Sequence, residues 1–163
     1  MSVTHGELVT EANEEDKDTV YLSGPVRCVD DDGREWRERV INEYSDTFDF
    51  RNPLDSFDPA EEEILVDPTN LDRSSDERQV LPREYVMEDK VMIAASDYIL
   101  VGLPEVIARG TMMECMWGYC EEDIPFFLWL IDEQKESGWI YHHSVFMSDE
   151  LDAVMENIRQ CYL

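Results

Sequence analysis

A chain of 163 residues with 13 basic and 39 acidic side chains carries a formal charge of −26. Such a surface repels phosphate backbones, which excludes nucleic-acid polymers as partners at ordinary salt. Its 43% hydrophobic content excludes an acidic disordered chain, and the length suits one domain with a real core.

The first 18 residues, MSVTHGELVTEANEEDKD, read as an acidic, disordered tail. They lack the basic-then-apolar order of a signal peptide, so a cytoplasmic location is expected. The domain proper is expected over residues 19–163. TVYLSGP (19–25) reads as a strand ending in a Gly-Pro turn. GREWRERVINEY follows, with Trp36, Val40, Ile41 and Tyr44 at amphipathic-helix spacing. FDFRNPLD (48–55) is a short strand closed by Asn-Pro, and an acidic loop runs from there to about residue 80. LPREYVMEDKVMIAAS (81–96) is a second helix, DYILVGLP (97–104) a buried strand, and GTMMECMWGYCEE (110–122) a third helix. PFFLWLI (125–131) is another buried strand, and it is also the longest strongly apolar run. It falls far short of the ~20 residues that a membrane span needs. SDELDAVMENIRQCYL (148–163) is a final helix capped by Ser148. Cys28, Cys115, Cys120 and Cys161 form no CxxC pair, and the three histidines complete no metal-ligand spacing. Reduced thiols and no structural metal are therefore expected.

Strands alternating with helices, the later strands continuously apolar, predict an α/β domain: one parallel sheet with helices on both faces. Ligands of such sheets sit beyond the carboxyl ends of the strands. Three stretches fall at that edge: SGPVR after the first strand, RNPLD after the second, and PEVIARGTMME after DYILVGL. The charge itself reads as adaptation to high salt, since lysine occurs only at 17, 90 and 135; a dedicated acidic interaction surface is the alternative.

The third helix carries one carboxylate, Glu114, among methionines, cysteines and a tryptophan. Met113, Met116, Trp117 and Cys120 stand at i, i+3, i+4 and i+7, the spacing of a buried stripe, with Glu114 beside it. Glu114 also lies in the first turns, where backbone N–H groups and the macrodipole favour an anion. It can be a plain helix-end carboxylate or a reactive one. Asp89 shares a face with Tyr85, Val86 and Ile93, so a partly buried carboxyl with a raised pKa is expected. Tyr21 lies in the first strand, and Ser23, Gly24 and Arg27 follow it at the ligand edge; Asn52 and Asp55 stand in the RNPLD turn, and Gly110 and Thr111 open the third helix.

VYLSGP, the WRERV helix, NPLD, MEDKVMIAASDYILVGL, GTMMECMWGYC and PFFLWL together resemble the nucleoside 2-deoxyribosyltransferase family over roughly residues 19–131. The resemblance implies a single Rossmann/flavodoxin-like domain, no cofactor, a small nucleoside or nucleotide substrate, and a homo-oligomer whose neighbours help close each site. It also implies a mechanism. Glu114 attacks the anomeric carbon of a 2′-deoxyribonucleoside and displaces the base, and a second base or water resolves the glycosyl-enzyme, following the logic of retaining glycosidases. Asp89 matches the aspartate that contacts the base, and Tyr21 the tyrosine that positions the nucleophile. GPVR (24–27) partly resembles the turn of related deoxynucleoside 5′-monophosphate N-hydrolases, with Arg27 in the phosphate-reading position. Where the family often has an acidic residue six positions before the glutamate, this chain has Ala108, then Arg109; where it usually has a small residue two positions after it, this chain has Met116. A non-catalytic nucleotide-binding module is the alternative from a different class.

Overall fold

The computed structural model describes residues 17–26, 29, 31–56, 82–104, 108–131 and 138–161, with backbone alone for 56 and 82–85. The tail through residue 16, Arg27, and the acidic loop over 57–81 lie outside the described residues.

The elements are β1 (Thr19–Ser23), α1 (Arg34–Tyr44), β2 (Asp49–Arg51), a 3-10 turn (Pro53–Ser56), α2 (Pro82–Ala94), β3 (Tyr98–Leu103), α3 (Arg109–Glu121), β4 (Phe126–Leu130), α4 (Gly138–His143), β5 (Phe146–Ser148) and α5 (Leu151–Gln160). The five strands form one sheet in the order β2-β1-β3-β4-β5, and every pairing is parallel. The chain leaves β1 in one direction to β2 and returns on its other side to β3, so the strand order reverses beside β1. That is where ligand crevices of such sheets open.

Strand alternation distributes the core. Val20, Leu22, Tyr98, Leu100, Phe127 and Trp129 join Trp36 and Val40 of α1 and Leu151, Val154, Met155 and Ile158 of α5 in one cluster. Tyr21, Ile99, Val101, Leu103, Phe126 and Leu128 join Ile93 of α2, Cys115 of α3 and Ile140 of α4 in the other. Both faces are covered, which is why β3 is buried at all six positions.

The turn that starts α1 needs unusual backbone. Asp32 and Gly33 have φ of 55° and 70°, and the Asp31 carboxylate accepts the N–H groups of Gly33 (3.0 Å) and Glu35 (2.9 Å). Those backbone hydrogen bonds, that from Glu35 first, hold the Asp31 carboxyl below its ordinary range.

Three expectations change. The stripe Met113, Met116, Trp117, Cys120 is not the buried one: Met113 is 73% exposed and Cys120 is exposed, whereas Thr111, Cys115 and Gly118 are buried. Small residues win because they let α3 approach the sheet; a Cβ on Gly118 would stand 2.5 Å from Ile99 Cδ1. Val86 does not share the buried face of Asp89 but is 47% exposed, one turn nearer the start of α2. The last helix begins at Leu151 without a side-chain cap, and Ser148 belongs to β5, its hydroxyl accepting the Glu150 N–H at 3.0 Å. Both α4 and β5 arise in the stretch GWIYHHSVFMS, where the sequence predicts neither element; a three-residue edge strand is too short to show a period.

Candidate active site

Successive side chains of a strand point to opposite faces, so Tyr21 and Ser23 of β1 emerge together on the α2/α3 side of the sheet. Ser23 is the last residue of β1, at the carboxyl edge. Thr111, Glu114, Cys115 and Gly118 follow one another at helical spacing along the buried side of α3. This turns Glu114 toward β1 rather than beside an outward stripe. The Ser23 hydroxyl donates to Glu114 Oε2 at 2.5 Å. From α2, Asp89, only 5% exposed, accepts a hydrogen bond from the Tyr21 hydroxyl at 3.3 Å.

The electrostatics of the two carboxyls follow one pattern. Burial raises Asp89, the negative charge of Glu114 raises it further, and the Tyr21 hydrogen bond opposes both; the result is about 7. Burial also raises Glu114, but the Ser23 hydrogen bond and the positive charge of Arg37 favour its ionised form. Both carboxyls are therefore pushed toward holding a proton by burial, and in each the hydroxyl hydrogen bond and Arg37 act the other way. Cys115 is fully buried, and its thiol is pushed up by burial and by Glu114, so it is no competing thiolate.

The other sequence candidates divide. Gly24 backs the site: a Cβ there would lie 2.7 Å from Trp36 Cζ2 and 2.9 Å from the Gly102 carbonyl, so only glycine lets the turn pack this tightly. Thr111 is buried in the first turn of α3, and its hydroxyl has no hydrogen-bond partner among the described residues. Gly110 is exposed, with open space where a side chain would go. Asn52 and Asp55 bond each other (3.2 Å) and line a crevice against α1 with Arg34, Glu38, Ile41, Asn42 and Leu54, none of which belongs to the Glu114 group. Arg27 lies outside the described residues. Ala108 is the N-cap of α3 and supplies no side-chain hydrogen bond.

Arg37 was missed by sequence reading. It is fully buried, and the signal was available: Arg37, Val40, Ile41 and Tyr44 stand at i, i+3, i+4 and i+7 on α1, so an arginine occupies the apolar face. Arginines are rarely found there, which is why the spacing alone did not draw attention to it.

The fold and site define a five-stranded parallel α/β domain with a pair of hydroxyl-held carboxyls, Asp89 buried and Glu114 partly so, at the switch point of its sheet. Solved structures share this fold. A 2-deoxyribosyltransferase from the psychrotolerant bacterium Bacillus psychrosaccharolyticus, described as a biocatalyst for nucleoside synthesis, superimposes with a TM-score of 0.59 at 15% identity, over 83% of this chain and 89% of its own. A conserved protein from Enterococcus faecalis V583 superimposes with a TM-score of 0.61 at 15% identity, over 88% and 98%. No protein-family model and no curated protein sequence matches the chain. Among the described residues, no helix is long and apolar enough to cross a membrane.

Proposed function

We propose that this protein is an N-glycosidic enzyme of the nucleoside 2-deoxyribosyltransferase type. The observation that carries the reading is the pair of carboxyls, Asp89 buried and Glu114 partly buried, with separate hydroxyl partners, Ser23 on Glu114 and Tyr21 on Asp89, at the ligand edge of a fold shared with a 2-deoxyribosyltransferase.

In the proposed reaction the Glu114 carboxylate attacks C1′ of a 2′-deoxyribonucleoside. A glycosyl-ester bond forms as the N-glycosidic bond breaks, and its electron pair leaves with the base. Asp89, protonated up to about pH 7, gives its proton to the departing base, so no base anion has to form in a buried site. An incoming base, or water, then attacks C1′ and displaces Glu114, and Asp89 recovers a proton from it. Ser23 keeps the nucleophile aimed and ionised, and Tyr21 orients the acid.

The protein is proposed to assemble as a homo-oligomer. Val86, Met87 and Val91 of α2 and Met113 of α3 are exposed apolar residues on two helices that pack together, which supports burial against a second copy. A high-salt milieu is proposed from the charge.

A mixture of a deoxynucleoside and a second free base, incubated with the protein at molar KCl, is expected to yield the exchanged nucleoside. Free sugar, or sugar phosphate released from a deoxynucleotide, supports the hydrolase form instead. Binding without any turnover supports a nucleotide-binding module, the reading favoured by Ala108 at the head of α3. Glu114→Gln is expected to cut turnover by about 10³-fold or more, as removing other covalent nucleophiles does; full activity in that variant sinks the nucleophile assignment.

A further inference from the structure

Arg37 of α1 lies behind the carboxyl pair, and the pattern of its contacts is specific. Its Nε donates to the Leu22 carbonyl (3.3 Å) and its Nη2 to the Gly24 carbonyl (2.9 Å). Leu22 and Gly24 are the residues on either side of Ser23, so one guanidinium grips the main chain before and after the hydroxyl that holds Glu114. Its Nη1 reaches the carbonyls of Gly33 (2.9 Å) and Asp32 (3.4 Å), which ties the end of β1 to the left-handed turn that starts α1. The guanidinium also stands 4.4 Å from the Trp36 ring centroid, and Trp36 fills the space above Gly24. A planar fork can hold several carbonyls at fixed angles at once, whereas an ammonium cannot.

We propose that Arg37 is a positioning residue for the nucleophile: it fixes the peptide on both sides of Ser23, thereby aims Glu114, and supplies the buried positive charge behind it. Burying a full charge inside a protein costs several kcal/mol, and a plain turn clamp needs no such charge. Its effect on both carboxyls, holding Glu114 and Asp89 toward their ionised forms against burial, accounts for a cation there.

Among the described residues, the groups around Glu114 are Tyr21 and Ser23 from β1, Arg37 from α1, Asp89 from α2, and Cys115 on its own helix. Glu88 adds negative charge on Asp89, Asp31 interacts with Arg37, and Lys90 stands 4.8 Å from the Trp117 ring. Arg37 is the positive charge in this set that acts on both members of the pair.

The proposal rests on Glu114 as the nucleophile, but its decisive measurement needs no turnover. The side-chain carboxyl of Glu114 is titrated by ¹³C NMR in the wild type and in Arg37→Met and Arg37→Lys, with a folded spectrum required of each variant. Arg37→Met is expected to raise the Glu114 midpoint by about one pH unit or more. In a turnover assay it is expected to move the acid limb of kcat/KM upward by the same amount, with kcat falling further than KM rises. Arg37→Lys keeps the charge but loses the fork, so it is expected to restore the midpoint while kcat stays about tenfold low. A folded Arg37→Met protein with a wild-type Glu114 midpoint overturns the electrostatic role, and Arg37→Lys with wild-type kcat overturns the positioning role. Should Arg37→Met not fold, the lysine variant decides: a midpoint displaced upward despite the retained charge, or an unchanged kcat, is the overturning result. Wild-type protein that releases no base from any deoxynucleoside or deoxynucleotide overturns the glycosidic reading instead, and leaves the titration result standing on its own.

Discussion

Asp89 is a carboxyl whose fold disfavours its charge. An aspartate in an unfolded chain releases its proton near pH 4, whereas Asp89 keeps it to about 7. The folded state therefore binds the extra proton between those values. Its contribution to stability is complete below about pH 4 and is lost as pH rises through 7. Asp89→Asn cannot ionise and can still accept the Tyr21 hydroxyl. Above pH 7 it is expected to be more stable than wild type by up to ~4 kcal/mol, with the difference vanishing below about pH 4. Thermal melts of the two proteins across this range check the sign; a variant less stable at every pH shows that Asp89 is not held against its charge. The same substitution is expected to lower turnover by about 10²–10⁴-fold if Asp89 is the acid. Loss of activity with gain of stability is the mark of a residue kept for chemistry. Glu114 and Asp89 were both legible as unusual carboxylates, Glu114 because it stands alone among apolar residues and Asp89 because it shares an apolar helix face. Ser23 as the partner of Glu114 was not legible, since the two lie 91 positions apart and no local period connects them.

At the scale of elements, α3 carries the main lesson. Its methionines and tryptophan look like the inward stripe, yet the sheet takes Thr111, Cys115 and Gly118, because close approach of a helix to a sheet favours small side chains over large ones. Hydropathy alone ranks the wrong face first. The consequence is an outward apolar surface, with Met113 73% and Val91 65% exposed. If a second copy covers it, as proposed, Val91→Asp is expected to shift the protein to its monomer while the fold survives, because the altered side chain is solvent-facing in a single chain. Sedimentation or light scattering at molar KCl checks this, alongside circular dichroism. A wild type already monomeric under those conditions removes the proposed assembly. β1 shows the opposite case, where sequence sufficed: its alternation sends Val20 and Leu22 to one core cluster and Tyr21 to the other, and that period is readable without any partner.

The whole molecule carries a charge of −26, and its self-repulsion opposes compaction wherever salt does not screen it. Between ~0.1 M and ~1 M salt the Debye length falls from about 10 to 3 Å. The thermal midpoint is therefore expected to climb steeply over that interval and then level off. Melts in a KCl series test this, and a flat profile shows that the acids are not repelling one another across the folded surface. Several features follow from sequence alone: alternating strands and helices, continuously apolar β3 and β4, a parallel sheet with its ligand edge, and two carboxylates out of pattern near that edge. These are written in short periods and in composition, which a linear chain carries whole. Only the tertiary structure decided which face of α3 is buried, that α4 and β5 exist, that Ser23 holds Glu114, and that Arg37 stands behind both. Each of those depends on what the opposing surface offers: space for small residues, a strand edge to pair with, a hydroxyl, or a row of carbonyls from a turn elsewhere in the chain.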